Sequence, residues 1–356
     1  MRRSSAILIA LCIAFSIAPA AQRGHKHRPT IPTTAGEFTS PKVDQFKIKP
    51  STTDPAITQF DNDHFIFIDK NVTPLNQLVV FLPGTGSKPS KFQGFCQIAA
   101  QYGYHVICLM YPDGTAADTV SKSSDKNAFL NFRLEVIEGK HLSTNVSVDR
   151  TNCIENRLIK LLQYLDGKHS KENWGQYLTS DGDIKWSKIA IAGMSQGAGN
   201  AALIATLHEC ARAVLFGGPK DFDKYSNLPA AWYTTPKTPL DRIFAFDNEQ
   251  DHQGCSFPEQ LQNWKAMGLY SLGKPYLIDG ANPPYGNSHL LETNYPGTPI
   301  PSEQAHTSLI TDAATPKTSS GGWLFGRVWV YMLTADAARP RRRDFSVHPT
   351  HRKRKS

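Results

Sequence analysis

Lys188-Ile189-Ala190-Ile191-Ala192-Gly193-Met194-Ser195-Gln196-Gly197-Ala198-Gly199-Asn200-Ala201-Ala202-Leu203 is the stretch from which the rest of the chain is read. Ile189 to Ala192 is an apolar run without polar alternation, the pattern of a strand buried on both faces. Beyond Ser195, small and helix-compatible residues continue through Thr206. The join between the two is Gly193-x-Ser195-x-Gly197. A sharp turn from buried strand to helix leaves no room for a Cβ two positions either side of its apex. It also pushes the apex side chain out at the carboxyl edge of the sheet. Ser195 is therefore expected to be accessible, held on rigid elements, and set at the positive end of the following helix.

Working outward, short apolar runs with β-branched and aromatic content recur at 65–68, 78–82, 106–110, 213–216, 242–246 and 276–278. Helical spacing marks 88–102, 152–165, 258–270 and 323–333. This alternation over residues 60 to 335 predicts an α/β fold, a doubly wound and mostly parallel sheet in one domain. Between Pro112 and Arg150 the periodicity weakens, so 112–150 reads as an inserted segment near the carboxyl edge. At 356 residues with 40% hydrophobic and 20% charged, the chain has ample material for such a core. No P-loop, no G-x-G-x-x-G after a strand and no nucleic-acid-reading motif occurs, and no nucleic-acid partner is expected.

The ends read differently from this body. Residues 1–20 carry a basic start (Arg2, Arg3), an apolar run and Ala18-Pro19-Ala20, the layout of a cleaved secretory signal. Residues 21–60 are a Pro/Thr/Ser-rich arm, 61–336 the folded domain, and 337–356 a basic tail expected to be disordered. Of the formal +8, two charges belong to Arg2 and Arg3 and a net seven to the tail beyond Ala338. The body is thus close to neutral, and the tail is a candidate contact for an anionic surface. Export implies an oxidising compartment for Cys96, Cys108, Cys153, Cys210 and Cys255, so at most two disulfides with at least one thiol left over. None of them has metal-ligand spacing, and neither metal nor cofactor is expected. Asn71 and Asn145 head glycosylation sequons.

The strand, the Gly193-Met194-Ser195-Gln196-Gly197 turn and the helix together resemble the nucleophile elbow of the α/β-hydrolase superfamily, in its secreted serine esterase and lipase-like branch. The resemblance covers roughly residues 60 to 335. It implies an order along the chain of nucleophile, acid, histidine. Serine needs a neutral imidazole to take its proton, and a buried carboxylate to orient that imidazole. After the strand at 242–246, Asn248-Glu249-Gln250-Asp251 is similar to the family's acid turn, with Asn where Gly is common. Asp251 is the first choice, with Asp247 and Asp221 as alternatives. Two later histidines satisfy the order. His306 has small and polar neighbours beyond the Pro296 to Pro301 stretch and reads as a loop residue; His289 leads into Leu290-Leu291 and reads as packed structure. His306 is preferred, with His289 and then His252 behind it. The resemblance also implies an oxyanion hole from the backbone N–H of Gln196 and of Thr85, in Pro83-Gly84-Thr85-Gly86, with Gly86 as the runner-up.

These features lead to the expectation of a secreted serine hydrolase that cleaves carboxylic esters, small or polymeric, through an acyl-enzyme on Ser195. An amidase or peptidase would use the same triad. A non-catalytic binding protein on a hydrolase scaffold, anchored by its tail, is the third reading. The substrate and the oligomeric state are not legible in the sequence, because the fold hosts many chemistries.

Overall fold

A computed structural model describes residues 43–335. The signal-like start, the first part of the arm and the basic tail lie outside the described residues. Nine strands form one sheet: β1 (Asp44–Ile48), β2 (His64–Ile68), β3 (Leu78–Leu82), β4 (His105–Cys108), β5 (Ile189–Met194), β6 (Arg212–Phe216), β9 (Ile243–Asn248), β10 (Tyr276–Leu277) and β11 (Leu290–Thr293). A separate ribbon pairs β7 (Phe222–Asp223) with β8 (Leu228–Pro229). The sheet order is β1-β2-β4-β3-β5-β6-β9-β11-β10. The pairs β1·β2 and β2·β4 are antiparallel, and all the others are parallel. The fold is α/β with a mostly parallel sheet.

Both faces of the sheet are covered, which is why its strands lack polar alternation. Leu78, Val80 and Leu82 of β3 face one core, together with α3 (Ala128–Glu138), α4 (Ile154–Lys168), α5 (Gln196–Leu207) and α6 (Phe257–Ala266). Val79 and Phe81 face the other, with α2 (Gln93–Gln101) and α8 (Gly326–Thr334). Two short helices, α1 (Pro50–Thr53) and α7 (Ser302–Ser308), complete the set. The stripe Ile154, Leu158, Leu161, Leu162, Leu165 that marked α4 in the sequence is its buried face. None of the described helices is long and apolar enough to cross a membrane.

Topology selects where a site can form. From β3 the chain crosses to β4 on one side, and β5 then lies on the other side of β3. The loops leaving β3 and β5 thus diverge from neighbouring strands at the carboxyl edge, and the crevice between them is where open α/β sheets bind ligands.

Several elements depart from the sequence reading. Order begins inside the arm, where β1 pairs along the whole of β2. The inserted segment contains α3, on which positions 129, 132, 133, 136 and 137 are buried at helical spacing and Glu135 is buried beside them. Arg133 occupies one of the apolar positions, and this masked the stripe. The last strand among the described residues is β11, wedged between β9 and the two-residue β10. His306 sits on α7, not in a loop. All five cysteines of the body are buried free thiols, so the expected disulfides are not formed here. Asn71 and Asn145 are both exposed.

Candidate active site

Ser195 stands between β5 and α5 with φ 57° and ψ −118°, a backbone conformation that L-residues seldom adopt. The surrounding packing holds it there. A Cβ on Gly197 would lie 2.0 Å from the Leu82 carbonyl oxygen, and one on Gly193 2.4 Å from the Gly197 carbonyl. Only glycine fits at either position, for the reason the motif suggests. The Ser195 N–H donates to Phe216 O of β6 at 2.9 Å. Ser195 lines a cavity of about 630 Å³, together with Gln196, Thr85, Lys220 and His306.

His306 and Asp251 meet beside that cavity. The imidazole Nδ1 lies 2.5 Å from Asp251 Oδ2. Asp251 comes from the turn after β9, His306 from α7, fifty-five positions further along. Gly217, after β6, makes room for the ring: a Cβ there would lie 2.9 Å from His306 Cε1 and Nδ1. Asp251 is fully buried and His306 is 7% exposed, so the pair is shielded from water while its far edge reaches the cavity. No hydrogen bond joins the ring to Ser195 Oγ among the described residues. In unliganded serine sites this contact commonly tightens only with substrate in place.

A third charged residue completes the cluster, and the sequence reading missed it. Lys220 Nζ lies 2.8 Å from Asp247 Oδ2 and 2.9 Å from Asp251 Oδ2. Burial alone would depress the lysine; the two carboxylates outweigh it and raise its pKa. Burial likewise pushes the Asp251 carboxyl up, but Lys220 and His306 hold it well below the usual carboxylate range. Asp247 goes the other way, driven up by burial and by the neighbouring Asp251 charge against the pull of Lys220. Lys220 follows Gly217-Gly218-Pro219 at the carboxyl end of β6. That position was the one signal available, since its partners lie in another loop.

On the opposite flank, Arg133 of α3 grips Asp221 through two bonds of 2.5 Å, and both side chains are 1% exposed. The guanidinium also donates to Gln196 O at 3.1 Å and to Asn200 Oδ1 at 2.9 Å, fastening the first turn of α5. Trp232 Nε1 donates to Asp221 as well. The Asp221 carboxylate is thereby engaged by Arg133 and Trp232, and among the described residues it makes no hydrogen bond to a histidine.

The loop after β3 is fixed by its own bonds. Thr85 Oγ1 donates to Gln196 Oε1 at 2.9 Å, which ties the two expected oxyanion residues together. Gly86 N–H donates to Asp113 O at 2.9 Å and is thus occupied. Among the described residues, the backbone N–H groups of Thr85 and Gln196 have no acceptor.

The alternative histidines lie elsewhere. His289 precedes β11, and β11 runs parallel to β9, so His289 sits at the amino edge while Ser195 sits at the carboxyl edge. It is buried, stacked on Phe244 at 4.2 Å, with Nδ1 3.3 Å from Ile243 O, and burial lowers its pKa. His252 is exposed and outside the cavity lining. No protein-family model matches the chain, and no curated protein is similar to it.

Proposed function

We propose that this chain is a secreted serine hydrolase of the α/β-hydrolase type that cleaves carboxylic esters through an acyl-enzyme on Ser195. The observation that carries the reading is the His306–Asp251 contact at the edge of the cavity that also holds the strained Ser195. Ser195 Oγ attacks the ester carbonyl carbon as its proton passes to His306 Nε2. Asp251 accepts the Nδ1–H bond, fixes the tautomer and stabilises the imidazolium. The N–H groups of Thr85 and Gln196 receive the oxygen that becomes negative. Collapse breaks the ester C–O bond, and His306 returns the proton to the departing alcohol. Water then repeats the sequence on the acyl-serine and releases the acid.

Lys220 acts on this sequence through Asp251. A carboxylate that took up a proton on burial would not stabilise the imidazolium, and the ammonium at 2.9 Å keeps it ionised. Arg133 holds the helix turn that supplies the Gln196 N–H.

The test is covalent. A fluorophosphonate probe should label Ser195, and Ser195→Ala should lose both the label and ester turnover while keeping the wild-type circular dichroism. An alanine variant that still turns over ester at the wild-type rate would remove the proposal.

A further inference from the structure

We infer that the ester consumed here joins a short acyl group, of about acetyl size, to an uncharged, hydroxyl-rich alcohol such as a sugar unit. The inference rests on the serine-hydrolase reading and adds the substrate class. It comes from what the cavity walls contain. No leucine, isoleucine, valine, tryptophan or tyrosine lines the cavity. Its apolar surface comes from Phe92, Met194 and the methyl groups of Ala116, Ala117, Ala313 and Ala314. Phe92 is fully buried and Met194 nearly so, which leaves mostly single methyl groups in contact with a ligand.

Such walls offer a long chain no large apolar side chain to lie against. A methylene gains from leaving water only where it meets apolar surface. Here the added methylenes would meet Ser87, Ser90, Gln253, Thr307 and Thr311, all of which line the cavity. Covering the Ser87 and Ser90 hydroxyls with hydrocarbon leaves them unpaired and offsets that gain, while the Thr307 and Thr311 hydroxyls already donate to Glu303 O and Thr307 O. For an alcohol rich in hydroxyls, Ser87 and Ser90 can donate and accept, and the Thr307 and Thr311 hydroxyl oxygens can still accept. The volume, about 630 Å³, is far more than an acetyl group fills, so most of it is left for the alcohol.

Charge points the same way. The buried charges in the lining are spoken for: Arg133 by Asp221, and Lys220 by Asp247 and Asp251. The others, exposed Lys91, Asp118 and Glu303 and half-buried Asp312, leave an acidic excess that disfavours an anionic substrate. The cleft is also built to a set width. Asp312 accepts the N–H groups of Gln93 and Gly94 at 2.9 and 2.8 Å, and its own N–H donates to Lys91 O at 2.9 Å. This fastens the wall at residues 84–92 to the wall at residues 303–314, so the polar groups are presented in place before a ligand arrives.

The experiment is a comparison of kcat/KM on the full chain. p-Nitrophenyl acetate, butyrate and octanoate vary the acyl group, while acetylated xylo-oligosaccharide and glyceryl trioctanoate vary both parts. We expect at least a tenfold fall from acetate to octanoate, and acetate release from the oligosaccharide well above any cleavage of trioctanoate. In the double variant Ser90→Leu/Thr307→Leu the octanoate-to-acetate ratio should rise several-fold. A kcat/KM that climbs with chain length, or a preference for trioctanoate, overturns the inference while leaving the hydrolase reading in place. Failure of Ser195 to label, with no ester cleaved, removes both.

Discussion

Two buried ion clusters flank Ser195, and they are assembled on opposite plans. Arg133 and Asp221 are one cation and one anion in a bidentate grip, and the remaining bonds of both go to Gln196, Asn200 and Trp232. Charges balance, each guanidinium nitrogen has a partner, and no proton has anywhere to go. In the second cluster a single ammonium, Lys220, serves two carboxylates, and one of these also holds a histidine. Here carboxylates outnumber fixed cations, and the strain falls on Asp247, whose carboxyl is pushed toward its protonated form by burial and the Asp251 charge. A balanced buried pair holds a helix in register. An unbalanced one, beside a histidine at a cavity, is a place where a proton can move.

Removing the imidazole should have the largest effect. His306→Ala is expected to lower kcat by about three to four orders of magnitude, the loss typical of a triad member. His289→Ala serves as the control, with turnover changed only a few-fold and stability reduced by about 1–3 kcal/mol through the gap beside Phe244. If the two variants ranked the other way in folded protein, the proton-moving role would not belong to this cluster.

The balanced pair should respond in stability. Arg133→Met strands the Asp221 carboxylate in the interior, a change that costs about 3–5 kcal/mol when one partner of a buried pair is lost. Urea denaturation measures it. Adding Asp221→Asn should recover much of the loss, since no charge is then left unpaired and the Trp232 bond can persist. A single variant as stable as wild type, or a double variant no better than the single, would show that the pair is not the clasp described above.

The smallest expected effect concerns the shared ammonium. Lys220→Met should lower kcat about tenfold with little change in KM, since its role runs through Asp251. Loss of a cation near the imidazole favours the protonated ring. The pH at which the rate rises should therefore move up, by about one unit. Lys220→Arg should restore much of the rate. A pH profile unmoved in Lys220→Met would reduce Lys220 to a packing residue.

How much of this was legible in the chain depended on how local the cause was. The turn at Ser195 was read from five residues, because the clash that demands Gly193 and Gly197 acts between adjacent elements. Strand positions at β3, β5, β6 and β9 were plain, since burial on both faces removes polar alternation. The helix α3 was missed for a physical reason. Its inward face spends one apolar position on Arg133, whose burial makes sense only with Asp221 opposite it, eighty-eight residues away.

The sequence by itself determined the elbow, the alternation of strand and helix, and the turns in which Thr85 and Asp251 stand. All of these follow from short-range sterics and from periodicity along the chain. The sequence ranked His306 above His289 from their neighbours, but only the tertiary structure showed where each one sits. Both come after Asp251, but one residue precedes a parallel strand and the other lies beyond it, which places them at opposite edges of the sheet. Only the tertiary structure, too, gathered Lys220, Asp247 and Asp251 within 3 Å. Electrostatic coupling depends on distance through a low-dielectric interior, and spacing along a sequence does not encode that distance.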